Sequence, residues 1–337
     1  MESQDLGKSI GWRRYSLVNK KASYTAASTF PVKVLQDTGA VDYAGNIHPR
    51  HIQLCITNKC NLRCSFCSCS DRAKDTAEME INDAEQIAED YGDLGCKAVT
   101  ITGGGEPLMH SHINGIINVF DRNGIKVGLV TNGMLLNLLT HDSLEKLDWI
   151  RISFDDSRDL REVSQVLAIC PTDTTDWAFS YVVSREPDID KLCRVIECAN
   201  RLNFTHVRVV SDLLDVDHVP DMEVIKAEVA EKINDDRVIY QGRKDFTKGT
   251  DKCFISLLKP VIDVDGKLYP CCGAQYALDD SNNSYNYKMC MGDTKDSMNI
   301  FQNQKYFDGS KCEKCYYSSY NDVLNMMVTE VTHREFV

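Results

Sequence analysis

The sequence predicts an α/β fold, a partial (β/α)6 barrel followed by a small C-terminal domain. Three observations predict it: β-rich runs alternate with amphipathic helical runs from residue 51 to about 215, polar or glycine-rich residues end the β-rich runs, and the pattern changes beyond 215. Strands that alternate with helices form right-handed crossovers and a parallel sheet, and six such units suit an open barrel. We therefore expect an N-terminal extension in residues 1–50, the barrel in 51–215 and a second domain in 216–337.

The barrel segment contains six predicted strands and five predicted helices. The strands are expected at 51–56, 97–102, 125–130, 149–154, 177–183 and 206–210. The helices are expected at 82–94, 111–123, 141–147, 157–169 and 188–202. Gly95, Gly124 and Asn203 fall where a helix is expected to end. Asn82 with Glu85 resembles a capping box, which predicts the start of the first helix.

Beyond the barrel the elements are shorter. A polar helix is expected at 221–233, a strand near 236–240 and a final helix around 319–331. Asp265-Gly266 between two apolar runs predicts a two-residue hairpin turn.

Composition and charge limit the classes of function. The 337 residues are 43% hydrophobic and 26% charged, which is typical of a globular protein with a substantial core. The formal net charge of −12 argues against a long nucleic acid as partner. We find no signal peptide and no run of the ~18 apolar residues that a membrane span needs. Fifteen cysteines without a secretory signal predict a cytoplasmic protein whose thiols serve as ligands.

Five cysteines lie between 55 and 69, and three of them form the pattern C-x3-C-x2-C at Cys60, Cys64 and Cys67, with Phe66 before the last. Three thiolates at this spacing can hold three irons of a cubic cluster and leave the fourth iron open to a substrate or cofactor. Electron-transfer clusters usually have four cysteines, and zinc sites more often have two C-x2-C pairs. The spacing therefore favours a cluster that does chemistry at its open iron.

Polar and glycine-rich residues follow the predicted strands. They occur at 103–107, 131–133 and 153–156, directly after the second strand, after the third strand and at the end of the fourth. In parallel sheets of this kind the ligand-binding residues collect at the carboxyl ends of the strands. We expect these segments to share one site with the cysteine loop.

The three cysteines with Phe66, followed by the run GGEP at 104–107, resemble the radical S-adenosylmethionine (SAM) superfamily. The resemblance covers residues 51 to about 215. It implies that Cys60, Cys64 and Cys67 bind a [4Fe–4S] cluster whose fourth iron is chelated by SAM. One electron would then cleave SAM to a 5′-deoxyadenosyl radical, which abstracts a hydrogen atom from the substrate. A reductant such as flavodoxin or ferredoxin is implied as a partner.

The resemblance also implies a set of SAM-binding residues, namely Gly104, Gly105, Glu106, Asn132, Ser153 and Arg158. Glu106 would accept from the SAM ammonium and Ser153 would contact the ribose or carboxylate. Arg158 would meet the carboxylate, with an exposed helix arginine as the alternative. Simple turn chemistry is the alternative for Asn132.

A second cysteine set lies in the C-terminal domain. Cys253, Gly266 and Cys271 have the spacing that begins a SPASM extension of radical SAM enzymes, but only Cys312 and Cys315 follow. The chain departs there from the full pattern and resembles the shortened twitch version, which implies one auxiliary [4Fe–4S] cluster on these four cysteines. Zinc on the same thiolates is the alternative.

The remaining thiols divide into two groups. Cys272 and Cys290 are candidate hydrogen-atom donors, with a structural role as the alternative, and Cys272 is also the alternative to Cys271 as ligand. The others are expected to be structural thiols: Cys55, Cys69, Cys96, Cys170, Cys193 and Cys198.

The function predicted from these motifs is hydrogen abstraction for the oxidation or epimerisation of a sugar-like or aminocyclitol-like small molecule or a peptide. Peptide cross-linking is an alternative, weakened because only about 50 residues precede the barrel. Modification of a nucleotide or nucleic acid is another. The non-enzyme alternative is a zinc-bound or cluster-bound scaffold without catalysis.

Overall fold

The fold is built on one twisted sheet of ten strands. The structure, a computed structural model, describes residues 30–37, 39–70, 76–167, 174–242, 247–275, 287–330 and 332. Its strands are β1 (His51–Cys55), β2 (Ala98–Thr102), β3 (Lys126–Thr131), β4 (Leu147–Asp155), β5 (Asp176–Val183), β6 (His206–Ser211), β7 (Val238–Gln241), β8 (Val261–Ile262), β9 (Lys267–Tyr269) and β10 (Gly292–Asp293). Their order in the sheet is β10-β9-β8-β1-β2-β3-β4-β5-β6-β7.

The helices are placed between the strands and around the C-terminal segment. They are α1 (Phe30–Gln36), α2 (Ile81–Asp93), α3 (Ile113–Arg122), α4 (His141–Glu145), α5 (Leu160–Leu167), α6 (Ile189–Arg201), α7 (Met222–Ala230), α8 (Ile255–Leu258), α9 (Ser297–Gln302) and α10 (Ser318–Val328). In the described part of the chain, no helix is long and apolar enough to cross a membrane.

The parallel α/β sheet confirms the predicted partial barrel. Strands β1 to β6 overlap the six predicted strands, and each pairs in parallel with its neighbour. Two further strands extend the parallel arrangement at its edges, since β7 pairs with β6 and β8 pairs with β1. Both edges of the parallel sheet are thus formed by strands that come after residue 215 in the chain. The domain boundary predicted at that residue stays a prediction.

Three helices end as the sequence predicts. Gly95, Gly124 and Asn203 follow α2, α3 and α6 with φ angles of 91°, 69° and 54°. At each end, the next residue's N–H bonds back to a carbonyl five residues earlier, as in the 2.8 Å bond from Cys96 to Tyr91. This arrangement satisfies carbonyls that the end of a helix leaves without a partner.

The predicted capping box at the start of α2 is wrong. The helix begins at Ile81, and Glu80 is its N-cap, with an extended backbone and no side-chain cap hydrogen bond. Asn82 is already the second residue of the helix, so it does not occupy the N-cap position, from which a side chain accepts from the N–H groups that follow.

The predicted hairpin is present. Strands β8 and β9 are antiparallel, and Gly266 provides the left-handed turn residue at φ 77°. The final helix, α10, also overlaps its predicted range.

Alternating residues of β4 show how the barrel separates core from cavity. Ile150, Ile152 and Phe154 are fully buried in the hydrophobic core. Arg151 and Ser153 point the other way and line a cavity of about 810 Å³ inside the barrel. Because side chains alternate along a strand, one face supplies packing and the other supplies the wall of a site.

Candidate functional site

The first cysteine set lies in the loop that follows β1. Cys60, Cys64 and Cys67 are partly exposed, and the Cys67 N–H donates to the Cys64 carbonyl at 3.2 Å. Burial raises the pKa of all three thiols, that of Cys64 to about 11, and the neighbouring thiolates add to the rise at Cys60 and Cys64. Three thiolates so close together repel one another, so they need a cationic ligand before all three can ionise.

The glycine-rich loop after β2 is hydrogen-bonded directly to the start of the cysteine loop. The Gly105 N–H donates to the Thr57 carbonyl at 2.8 Å, and the Glu106 N–H donates to the Lys59 carbonyl at 2.7 Å. A Cβ on Gly105 would lie 2.1 Å from the Lys59 oxygen, so only glycine permits this approach. Gly104, which directly precedes Gly105, is buried.

Glu106 is 3% exposed and fixes the end of β3. Its carboxylate accepts from the Thr131 hydroxyl at 2.6 Å, from the Asn132 N–H at 2.6 Å and from the Leu108 N–H at 3.0 Å. Burial raises the pKa of Glu106, and these hydrogen bonds oppose the rise. A carboxylate has about four acceptor positions, so one remains for a ligand donor.

We expect Glu106→Gln to destabilise the fold by about 1–3 kcal/mol. The NH2 group of the new glutamine would face N–H and O–H donors that now donate to the Glu106 carboxylate. The midpoint of urea unfolding measures the loss. Glu89→Gln, on the exposed face of α2, is the matched control and should leave the midpoint unchanged. Equal midpoints for both variants would contradict the structural role of the Glu106 carboxylate.

Asn132 and Arg158 connect the strand ends to the cysteine loop. The Asn132 amide donates to the Asn61 side chain at 2.7 Å. Arg158 donates through Nη1 to the carbonyls of Asn132 and Ser153 at 2.7 and 2.6 Å. Arg158 is 6% exposed, so the alternative interpretation of this residue as an exposed helix arginine is wrong. Its Nε and Nη2 atoms are buried without a hydrogen-bond partner. Buried donors of this kind need an acceptor, and a carboxylate fits them.

The second cysteine set surrounds a separate, smaller cavity. Cys253, Cys271, Cys312 and Cys315 all line it. Burial raises the pKa of Cys253 to about 11 and of Cys312 to about 12, and it also raises those of Cys271 and Cys315. Among the described residues, no three His, Cys, Asp or Glu side chains converge on one point where a single metal ion would be held. The four thiols are instead distributed around the cavity wall.

Two glycines pack closely against this set. A Cβ on Gly249 would lie 2.0 Å from the Gly309 oxygen, and one on Gly309 would lie 3.3 Å from the Cys253 Cβ. Backbone bonds join the same segments, since Gly249 donates to the Cys312 carbonyl at 3.0 Å and Cys315 donates to Thr247 at 2.7 Å. Two of the four thiols are buried and two are partly exposed. Thiolates are the usual ligands of iron–sulfur clusters and of zinc, so the chemistry of this set fits either group.

The two candidate hydrogen donors differ in position. Cys272 lines the barrel cavity, and its Sγ lies 3.1 Å from the Tyr317 hydroxyl. Cys290 lines neither described cavity, and its Sγ lies 3.5 Å from the Gly292 carbonyl. Adjacent Cys271 faces the smaller cavity, so the two neighbouring thiols face different sites.

Most of the thiols predicted to be structural are buried. They are Cys55, Cys69, Cys96, Cys193 and Cys198. Cys170 lies outside the described residues.

Sequence reasoning missed the inner wall of the barrel. Arg151, His206 and Arg208 line the cavity from β4 and β6, and Lys259 joins them from the end of α8. The available signal was a charged residue inside an otherwise apolar strand, as in WIRISF and HVRVV. Such a residue is costly unless the strand faces a polar cavity.

Comparison with known families adds to this geometry. A family model described as the radical SAM superfamily matches residues 54–227, more than half of the chain. The matched segment runs from β1 into α7 and contains the first cysteine set and the strand-end loops.

Three individual proteins illustrate the similarity. The GTP 3',8-cyclase of Desulforamulus reducens is 31% identical over 34% of this chain, and the match spans only 35% of that relative's length. A probable GTP 3',8-cyclase of Archaeoglobus fulgidus is 24% identical over 66% of this chain and 85% of its own. The solved structure of native anSMEcpe with bound AdoMet and Cp18Cys peptide shares the fold, with a TM-score of 0.53 at 14% identity over 82% of this chain and 96% of that chain.

Proposed function

This chain belongs to the radical SAM superfamily, and we propose that it is a radical SAM enzyme in which Cys60, Cys64 and Cys67 hold the [4Fe–4S] cluster at the mouth of the barrel. The observation that carries the proposal is the meeting of three elements at one end of the sheet. These are the three thiols, the glycine loop bonded to their loop, and the buried donors of Arg158. When bound, the cluster and SAM supply a 5′-deoxyadenosyl radical that removes a hydrogen atom from the substrate.

The residues around the thiols bind and orient the cofactor. Gly104 and Gly105 let the backbone approach it, and the remaining acceptor position of Glu106 suits the SAM ammonium. The Nε and Nη2 atoms of Arg158 suit the SAM carboxylate. Ser153, whose carbonyl accepts from Arg158, lines the barrel cavity. Asn132 holds the end of β3 against the cysteine loop through Asn61.

The second cysteine set is proposed to hold one auxiliary [4Fe–4S] cluster. The support is that Cys253, Cys271, Cys312 and Cys315 line one cavity beside the barrel. Cys271 is the proposed ligand rather than Cys272, because Cys272 faces the barrel cavity.

The substrate class is proposed to be a small molecule or a peptide that undergoes oxidation or epimerisation. The similarities support two kinds of substrate, a nucleotide and a peptide, since the relatives are named GTP 3',8-cyclases and the anSMEcpe structure holds a peptide. If the reaction is an epimerisation, Cys272 is the proposed hydrogen-atom donor. A Cys272→Ser variant would then consume SAM and substrate without releasing the epimer.

Anaerobic reconstitution with iron and sulfide, followed by SAM and dithionite, tests the proposal. We expect 5′-deoxyadenosine to accumulate, as measured by chromatography, and a flavodoxin or ferredoxin system to replace dithionite. A reconstituted, folded protein that forms no 5′-deoxyadenosine would support the scaffold alternative and exclude the enzyme.

A further inference from the structure

The inside of the barrel has a positive charge that the whole chain does not share. The net charge of the protein is −12. Among the described residues, the wall of the barrel cavity contains six cationic side chains, those of Lys33, Arg50, Lys126, Arg151, Arg208 and Lys259. It contains three carboxylates, those of Asp37, Asp148 and Asp176. The wall therefore carries a local excess of cations.

The three carboxylates contact other groups near the amino ends of the strands. Asp37 forms an ion pair with Arg50 at 2.7 Å, and Asp148 forms one with Lys126 at 3.2 Å. Asp176 accepts from the Thr205 hydroxyl at 2.9 Å. These contacts occur at or before the amino ends of the strands.

Strand register places the central cations beside the proposed SAM site. Arg208 on β6 is opposite Ser180 on β5, and Ser180 is opposite Ser153 on β4. Arg151 precedes Ser153 by two residues on β4, so it is the next cavity-facing residue along the strand, and it is opposite Ala178. A ligand group held by the two arginines would therefore lie directly below the level of Ser153.

The central cations perturb one another. Burial lowers the pKa of Lys259, and Arg151 and Arg208 lower it further, whereas the nearby thiol of Cys272 opposes them. Burial and the two arginines also lower the pKa of His206 to about 4, although Asp176 opposes them, and the ring is therefore neutral at physiological pH. Like charges at this depth are unfavourable unless an anion accompanies them.

The arginines are supported by neighbouring residues. The Arg208 Nε donates to the Gln241 side chain at 2.7 Å. The Arg151 guanidinium lies 4.9 Å from the Trp149 ring centroid, and Gly128 leaves the space for that ring, since a Cβ there would lie 2.1 Å from it. Side chains oriented in this way are typical of a prepared binding site.

We propose that Arg151, Arg208 and Lys259 bind a phosphoryl group of a small-molecule substrate, with Lys33 at the edge of the same pocket. The inference rests on the proposed function, because it takes the barrel cavity as the substrate site. Two guanidinium groups and an ammonium match the several oxygens and the charge of a phosphoryl group. The pocket lies inside the barrel, so the phosphoryl group is that of a small molecule.

Titration calorimetry on the cluster-reconstituted protein with SAM, without reductant, tests the pocket. The probe is inorganic pyrophosphate. We expect Arg208→Gln to weaken its binding by about 10-fold or more, because a charged hydrogen-bond donor is lost. Arg208→Lys, which keeps the charge, should lose less. The control is Arg122→Gln, an exposed arginine on α3 that pairs with Glu85 at 2.7 Å. Circular dichroism melting establishes that each variant is folded.

Titrations with two further ligands identify the kind of molecule that carries the phosphoryl group. Tighter binding of a nucleoside triphosphate than of glucose 6-phosphate indicates a nucleotide, and the reverse order indicates a phosphosugar. Both results support the pocket. No binding of pyrophosphate, equal binding to the wild type and Arg208→Gln, or equal binding of citrate would overturn it.

Failure of this inference is distinct from failure of the proposed function. The binding is measured without reductant, so a protein that binds pyrophosphate but forms no 5′-deoxyadenosine contradicts only the proposed function. A protein that forms 5′-deoxyadenosine but binds no phosphoryl probe contradicts only the pocket.

Discussion

Cys64→Ala is expected to reduce 5′-deoxyadenosine formation to background and to remove the cluster at the barrel mouth. The resemblance assigns only three protein thiolates to that cluster, so no spare ligand in the motif replaces the lost one. Cys64 also lies among the neighbouring thiols and Asp155, whose charges already disfavour its thiolate without a bound cation. The measurements are iron content, visible absorbance after reconstitution and chromatography of the SAM products.

The matched control is Cys69→Ala, two residues beyond the motif. Cys69 is buried, and its Sγ lies 3.8 Å from the Gly103 carbonyl, so it tests the loss of a thiol in the same loop. We expect this variant to keep its iron and its cleavage activity. Equal activity of Cys64→Ala and the wild type would contradict the assignment of the first cysteine set.

Cys312→Ala is expected to lower the iron content from about eight to about four per chain, since each cubic cluster holds four irons. Cleavage of SAM should persist in this variant because the first cysteine set is intact. The 8% exposure of Cys312 and its pKa of about 12 mean that its thiolate depends strongly on a bound metal. Iron and zinc analysis of the reconstituted protein provides the measurement.

Cys290→Ala is the control for this second prediction, because Cys290 lies outside both described cavities. It should retain about eight irons per chain. About four irons together with one zinc in the wild-type protein would instead assign the second set to zinc, and Cys312→Ala would then lose the zinc alone.

Local signals predicted those parts of the fold that depend on neighbouring residues. The helix ends at Gly95, Gly124 and Asn203 need only a left-handed residue after an amphipathic run, and all three are present. The hairpin turn at Gly266 likewise depends only on neighbouring residues. The pairing of β8 with β1 is not predicted by local signals, because it joins residues more than 200 positions apart.

In the candidate site, too, some features depend on neighbouring residues and others on residues far apart in the sequence. The cysteine sets were identified by their spacing, which is a property of the sequence alone. The bonds from Thr131 and Asn132 to Glu106 depend on two strand ends meeting, and no short window of sequence contains both. Arg151 and Arg208 were missed because the face they occupy is defined only when β4 to β6 adopt their register.

The pairing of β1 with β8 bears on how the substrate reaches the site. Residues Gln53 and Leu54, just before the first cysteine loop, are in register with Val261 and Ile262, which lead through the hairpin to Cys271. A hinge that swung the C-terminal segment away from the barrel would have to break this ladder. We therefore expect the substrate to enter through an opening that leaves the ladder intact, so that β1 and β8 keep their register.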